Sequence, residues 1–149
     1  MASDTESTAE RGRRLVIVEL QQRGVTTTVL RRGNLILLEI RSPDDGRRIQ
    51  LRVKTRTSGT WQGSIRDADA DPPAPHPDLY WIFVEVESGG RPGFFIVPDQ
   101  WMRRDIHQAH QKYLQRHGGV RAVTADSTHH AIEARRILQW RDRWDLLGI

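Results

Sequence analysis

Residues 34–55 read NLILLEIRSPDDGRRIQLRVKT, and two strands separated by a turn account for them. The first run, 34–40, is nearly all apolar, as expected of a strand covered on both faces. Residues 42–48 carry Pro43, Asp44, Asp45 and Gly46, a strong turn signal. Residues 49–55 alternate: Ile49, Leu51 and Val53 point one way, and Gln50, Arg52 and Lys54 the other.

Upstream, VTTTVL (25–30) is β-branched and predicts a further strand, with a turn at Arg31-Arg32-Gly33. AERGRRLVIVELQQR (9–23) predicts a helix whose apolar face holds Ala9, Leu15, Val16, Val18 and Leu20, closed by Gly24. Gly12 weakens its first turns by about 1 kcal/mol relative to alanine. Residues 1–8 read as a disordered tail.

Downstream, residues 56–78 include DADADPPAPHPD and predict a long acidic, proline-rich loop. LYWIFVEVE (79–87), a SGGRPG turn and FFIVP (94–98) predict a hairpin. Asp99 stands where it would cap a helix over 100–117, with Met102, Ile106, Ala109, His110 and Tyr113 on one stripe. A third helix is expected over 128–140, capped by Ser127, before a tail that packs Trp144, Leu146 and Leu147 back onto the body. The order predicts one α/β or α+β domain over 9–149. Its central mixed sheet has about five strands, with an N-terminal helix and two C-terminal helices.

Composition narrows the function classes. The 149 residues contain no cysteine, which removes disulfides, thiolate metal sites and cysteine nucleophiles and fits a cytoplasmic protein. No apolar run approaches the roughly 18 residues of a membrane span. Residues 11–56 hold twelve basic and four acidic side chains, whereas 57–90 hold one and six, so a cationic face beside an acidic loop is expected. Of the 23 basic residues only Lys54 and Lys112 are lysines, which asks what a compact ammonium does there that a guanidinium cannot.

Glu10 opens the first helix, Leu20–Gly24 ends it, Asn34 starts the second strand, and LRVKT (51–55) ends the third. In this order these pieces resemble small members of the PD-(D/E)XK nuclease superfamily. LYWIFVEV, FFIVP, HQAHQKYL (107–114) and WRDRWDLL (140–147) extend the resemblance over most of residues 9–147. It implies a restriction-endonuclease-like fold, Mg²⁺- or Mn²⁺-dependent phosphodiester hydrolysis, and roles in restriction, repair, recombination or defence. The positions matching the catalytic motif are Glu10, Asn34, Arg52 and Lys54, with Glu10 and Asn34 as metal ligands. Two depart from the family pattern, because Asn34 replaces an aspartate and Arg52 replaces a glutamate or glutamine. A unit charge pair about 4 Å apart at an effective dielectric near 20 is worth about 4 kcal/mol, and a divalent ion doubles it, so Arg52 repels a metal. Glu39, Asp44 and Asp45 are candidate substitutes, although Glu39 has the opposite strand parity to Asn34 and the two aspartates suit the turn.

The resulting expectation is a nucleic-acid-engaging protein, DNA first, with its metal site partly lost. Arg31, Arg32, Arg47, Arg48, Arg52, Lys54 and Arg56 would meet the phosphate backbone. The competing structural account pairs Arg52 and Lys54 internally with Glu10 or the acids at 67–71. Two other functions stay open: an active nuclease with rearranged carboxylates, and a protein-interaction module, with a homodimer as one form. His107, His110, His129 and His130 lack the spacing of a zinc motif. Trp61, just after Lys54, is a candidate for stacking on a base.

Overall fold

The computed structural model describes residues 5–87, 89–118 and 128–149. Helix α1 (Thr8–Gln22) leads into strands β1 (Thr28–Arg32), β2 (Leu35–Arg41) and β3 (Arg48–Arg56). The chain continues through β4 (Trp61–Ser64), β5 (Asp78–Glu85), β6 (Gly93–Pro98), helix α2 (Asp99–Arg116) and β7 (His129–Ile132). Five strands form one mixed sheet in the order β1-β2-β3-β5-β6, and β4 pairs with β7 in a separate ribbon. Neighbours in the large sheet are antiparallel except β3 and β5. The α+β class and the five-stranded mixed sheet match the sequence expectation.

Strand alternation divides the sheet into two buried faces. Leu38, Ile40, Ile49, Leu51, Ile82, Val84 and Ile96 pack with Val16 and Leu20 of α1 and with Trp144 and Leu147 of the C-terminal segment. Trp81, Phe83, Phe95 and Val97 turn the other way and pack with Trp61 of β4, Ile132 of β7 and Met102 and Ile106 of α2. Burial of Leu37 as well as Leu38 and Ile40 explains why β2 is an apolar run rather than an alternation.

Several expectations change. The 56–78 segment is not a plain loop: it carries β4 and a 3-10 turn at Ile65–Asp67. The third helix is absent among the described residues. In its place stand β7 and short 3-10 turns at Ala134–Arg136, Leu138–Trp140 and Trp144–Leu147. Ile132 and Ile137 are the buried apolar anchors there, five positions apart. A helix would turn them to different sides, whereas a strand followed by a tight turn brings both to the Trp61 cluster. Ser127 lies outside the described residues. Asp99 does not cap α2. Pro98 occupies that position without a side-chain hydrogen bond, and the buried Asp99 carboxylate accepts from the Trp81 indole at 2.7 Å instead.

One feature of the pairing positions the candidate site. The ladder between β2 and β3 runs only from Arg41↔Arg48 to Leu38↔Leu51. Beyond it β2 stays with β1 as far as Leu35, and β3 stays with β5 as far as Arg56. The sheet therefore forks between β2 and β3, at the end where β3 carries Lys54.

Candidate functional site

Arg52, Lys54 and Arg56 occupy alternate positions of β3, so all three lie on the α2 side of the sheet, beside Trp81, Phe83 and Glu85 of β5. Such neighbours stand about 6.7 Å apart along a strand. The outer two are neutralised. Arg52 makes a two-pronged pair with Asp67, both contacts 3.1 Å, and its guanidinium lies 4.3 Å from the centre of the Trp81 ring. Arg56 pairs with Glu85 at 3.1 Å, donates to the Gly59 carbonyl and lies 4.0 Å from the Trp61 ring. Each guanidinium thus has a carboxylate and an indole face, the combination a planar delocalised cation suits.

Lys54, between them, has neither. It is half-buried, and no carboxylate among the described residues reaches ion-pair distance of its ammonium. Burial holds its pKa below the ordinary lysine value, the Arg52 charge pushes the same way, and Asp67 opposes both. The site is a partly desolvated ammonium flanked by two compensated cations.

The Arg52 pair belongs to a larger ring of interactions. Asp67 also meets Arg103 of α2 at 3.6 Å, Arg103 meets Asp99 at 3.0 Å, and Asp99 accepts from Trp81, over which Arg52 lies. Asp67 of the 67–71 loop therefore holds Arg52, as the internal-network expectation has it, and acts on Lys54 only through its charge, without an ion pair.

The remaining sequence-derived residues fall into two groups. Arg47 is held by Asp78 at 3.1 Å, Asp45 at 3.6 Å and the Leu146 carbonyl at 2.6 Å, which ties the C-terminal segment to the sheet. Arg48 pairs with Glu39 at 3.3 Å, and Glu39 also accepts from Gln50. These arginines and Arg52 and Arg56 each have a carboxylate partner within the chain. Arg31 and Arg32 are exposed at the end of β1 and make no ion pair among the described residues.

The expected convergence of Asn34 with Arg52 and Lys54 is not observed. Asn34 is exposed in the two-residue turn before β2, and the alternation of Leu38 and Ile40 assigns its position to the α1 side. Glu39 shares the Lys54 face after all, as its pairing with Gln50 shows, but it sits at the closed end of the β2–β3 hairpin. Glu10 closes a reciprocal cap with Ser7: its amide donates to Ser7 Oγ at 3.1 Å, and its carboxylate accepts from the same hydroxyl at 3.0 Å. Asp45 caps its own turn by accepting from the Arg47 amide. Among the described residues no three His, Asp or Glu side chains gather into a set able to hold a metal. Glu10 and Asn34, one capping a helix and one in a turn, with Arg52 and Lys54 cationic, do not fit a divalent ion. Trp61 is fully buried, its indole donating to the Val84 carbonyl at 3.0 Å, so it does not present a stacking surface.

Two further arginines reach this end of the sheet. Gly12 of α1 lies directly against Thr55, where a side chain on Gly12 would overlap the Thr55 hydroxyl. Its neighbours Arg11 and Arg13 therefore stand on the α1 side of the sheet, opposite Lys54, and neither makes an ion pair among the described residues. The sequence signal was Gly12 itself, a residue unfavourable inside a helix unless something approaches closely.

Comparison with known protein families, with characterised proteins and with solved structures finds no match. Cations without an ion pair among the described residues stand near this end of the sheet on both of its faces: exposed Arg31 and Arg32 at the end of β1 and Arg11 and Arg13 on α1, with half-buried Lys54 on the α2 side. No helix among the described residues is long and apolar enough to cross a membrane.

Proposed function

We propose that the protein binds the phosphate backbone of nucleic acid, DNA first, at the fork between β2 and β3, and does so without hydrolysing it. One observation carries this reading: of three cations in a row on β3, only Lys54 is left without a carboxylate. An ammonium held part-way out of water costs stability, and a phosphate oxygen is the partner that would restore its charge. Arg11, Arg13, Arg31 and Arg32 widen the footprint to a strand's length of backbone, and nothing in the set reads base edges. Catalysis is disfavoured by charge, since the acids of this face are already paired with arginines and the position beside Lys54 carries a guanidinium. The resemblance to PD-(D/E)XK proteins rests on Glu10, Leu20–Gly24 and LRVKT at 51–55.

The test is binding of a duplex oligonucleotide at low salt, with plasmid nicking in Mn²⁺ run beside it. Wild type binds, Lys54→Ala binds at least tenfold more weakly, and Arg143→Ala, whose guanidinium pairs with Asp145 elsewhere, is unchanged. Nicking abolished by Lys54→Ala would replace this reading with an active metal-dependent nuclease. No binding to duplex or single strands would leave the protein-interaction module.

A further inference from the structure

The two edges of the large sheet differ. The β6 edge is covered by the chain itself: Phe95 bridges to Arg141, and the Asp142 amide donates to the Phe94 carbonyl at 2.9 Å. The β1 edge has no such cover. Among the described residues the backbone of β1 pairs with β2 alone. An open edge is a row of amides and carbonyls on which a further strand can build.

Proteins commonly guard such an edge with a proline, a lysine or a bulge. β1 has neither residue, and its five positions pair with β2 in unbroken register. Its centre is apolar as well as open. Val29 is 50% exposed, and Leu35, opposite Arg32 at the start of β2, is 40% exposed.

The sequence along this edge fits its own copy. Residues 26–32 read TTTVLRR, with threonines at one end and arginines at the other. An antiparallel pair centred on Val29 sets Val29 against Val29, Leu30 against Thr28, Arg31 against Thr27 and Arg32 against Thr26. The half-exposed valines cover each other, and no arginine faces an arginine. A parallel pair in register would set Arg31 beside Arg31 and Arg32 beside Arg32, a like-charge contact that destabilises a sheet. The antiparallel pair uses the same patch on both copies, so it closes at two.

We propose that β1 is a dimerisation edge, at which two copies of this chain pair antiparallel about Val29 and join their five-stranded sheets into one. Edge pairing uses backbone groups and leaves side chains above and below the sheet. Arg31 and Arg32 therefore keep their access to solvent, and the dimer carries two forks. The proposal does not rest on nucleic-acid binding. One strand pair is a small interface, so association in the micromolar range is expected.

Sedimentation equilibrium of the full chain from about 1 to about 100 μM tests it. Wild type dimerises as concentration rises. Val29→Lys and Val29→Glu each set like charges across the axis and weaken association about tenfold. An equimolar mixture of the two variants restores the wild-type dimer, because an ammonium then faces a carboxylate. Val18→Lys, at an equally accessible position on α1, dimerises as wild type does. Circular dichroism melts confirm that the variants fold. A wild type that stays monomeric at the highest concentration overturns the proposal and leaves the edge to a strand of another protein. A dimer that survives both Val29 changes overturns it, as does loss of the dimer without rescue in the mixture.

Discussion

At the residue scale Lys54 bears the conflict between stability and function. A half-buried ammonium with a guanidinium as neighbour is a poor choice for folding, and an apolar chain of similar length suits the same position better. Lys54→Met is expected to raise the melting temperature while removing duplex binding. The pH dependence has a definite sign. The folded protein holds the Lys54 proton more weakly than the unfolded chain does, whose lysine titrates near 10.5. Between the lowered value and 10.5 the unfolded state therefore binds more protons, and this residue makes stability rise with pH across that window. Urea melts through that range should show wild type gaining stability relative to Lys54→Met as pH rises. A rise of equal size in both would mean that Lys54 is not the group responsible. The arginines beside it make the contrast clear: each has the carboxylate and indole that Lys54 lacks.

At the element scale two contacts position the fork. The first is the crossing of α1 over β3. Gly12→Ala gains about 1 kcal/mol in helix propensity, yet its new methyl overlaps the Thr55 hydroxyl, with Thr55 Cβ at 2.7 Å. Net destabilisation of about 1–3 kcal/mol is expected in denaturant titration, recovered only in part by Thr55→Ala, which keeps Cβ in place. Stabilisation by Gly12→Ala would show that the helix moves off the strand at no cost. The second contact is the Arg52–Asp67 pair, which joins β3 to the 3-10 turn and, through Arg103 and Asp99, to α2. Asp67→Ala strands the Arg52 guanidinium, while Arg103 keeps Asp99, and is expected to cost about 2–3 kcal/mol. Arg52→Met/Asp67→Ala should lose less than the two single changes added together, because the stranded charge goes with it. Additive losses would mean that the pair acts as two independent surface groups.

At the scale of the whole molecule, net charge is less informative than where the charge is already spent. The formal excess of +4 is small. Among the described residues most carboxylates pair with nearby arginines, and the cations left without one include Lys54, Arg31 and Arg32 at one end of the sheet, with Arg41 and Arg66 elsewhere. Five contacts at the fork predict that the logarithm of duplex affinity falls against log salt with a slope of about −4.5. Arg31→Ala/Arg32→Ala should reduce that slope by about two without altering sequence preference. A slope unchanged by the double substitution would place the footprint elsewhere.

The chain alone determined the first helix, the five strands of the large sheet, the helix after them, the alternation of β3 and the turn between β2 and β3, because those depend on local periodicity and turn chemistry. It also marked Lys54 and Lys112 by their rarity. What it could not carry was any fact set by contacts between distant segments. The expected third helix became β7 because β4, nearly seventy residues earlier, pairs with it. Asp99 left the cap of α2 for the Trp81 indole, and Glu10 went to a cap with Ser7. Arg52 was claimed by an aspartate fifteen residues on, and Lys54 was not. Which charges remain available depends on which partners folding brings within about 4 Å, and only the tertiary structure makes that selection.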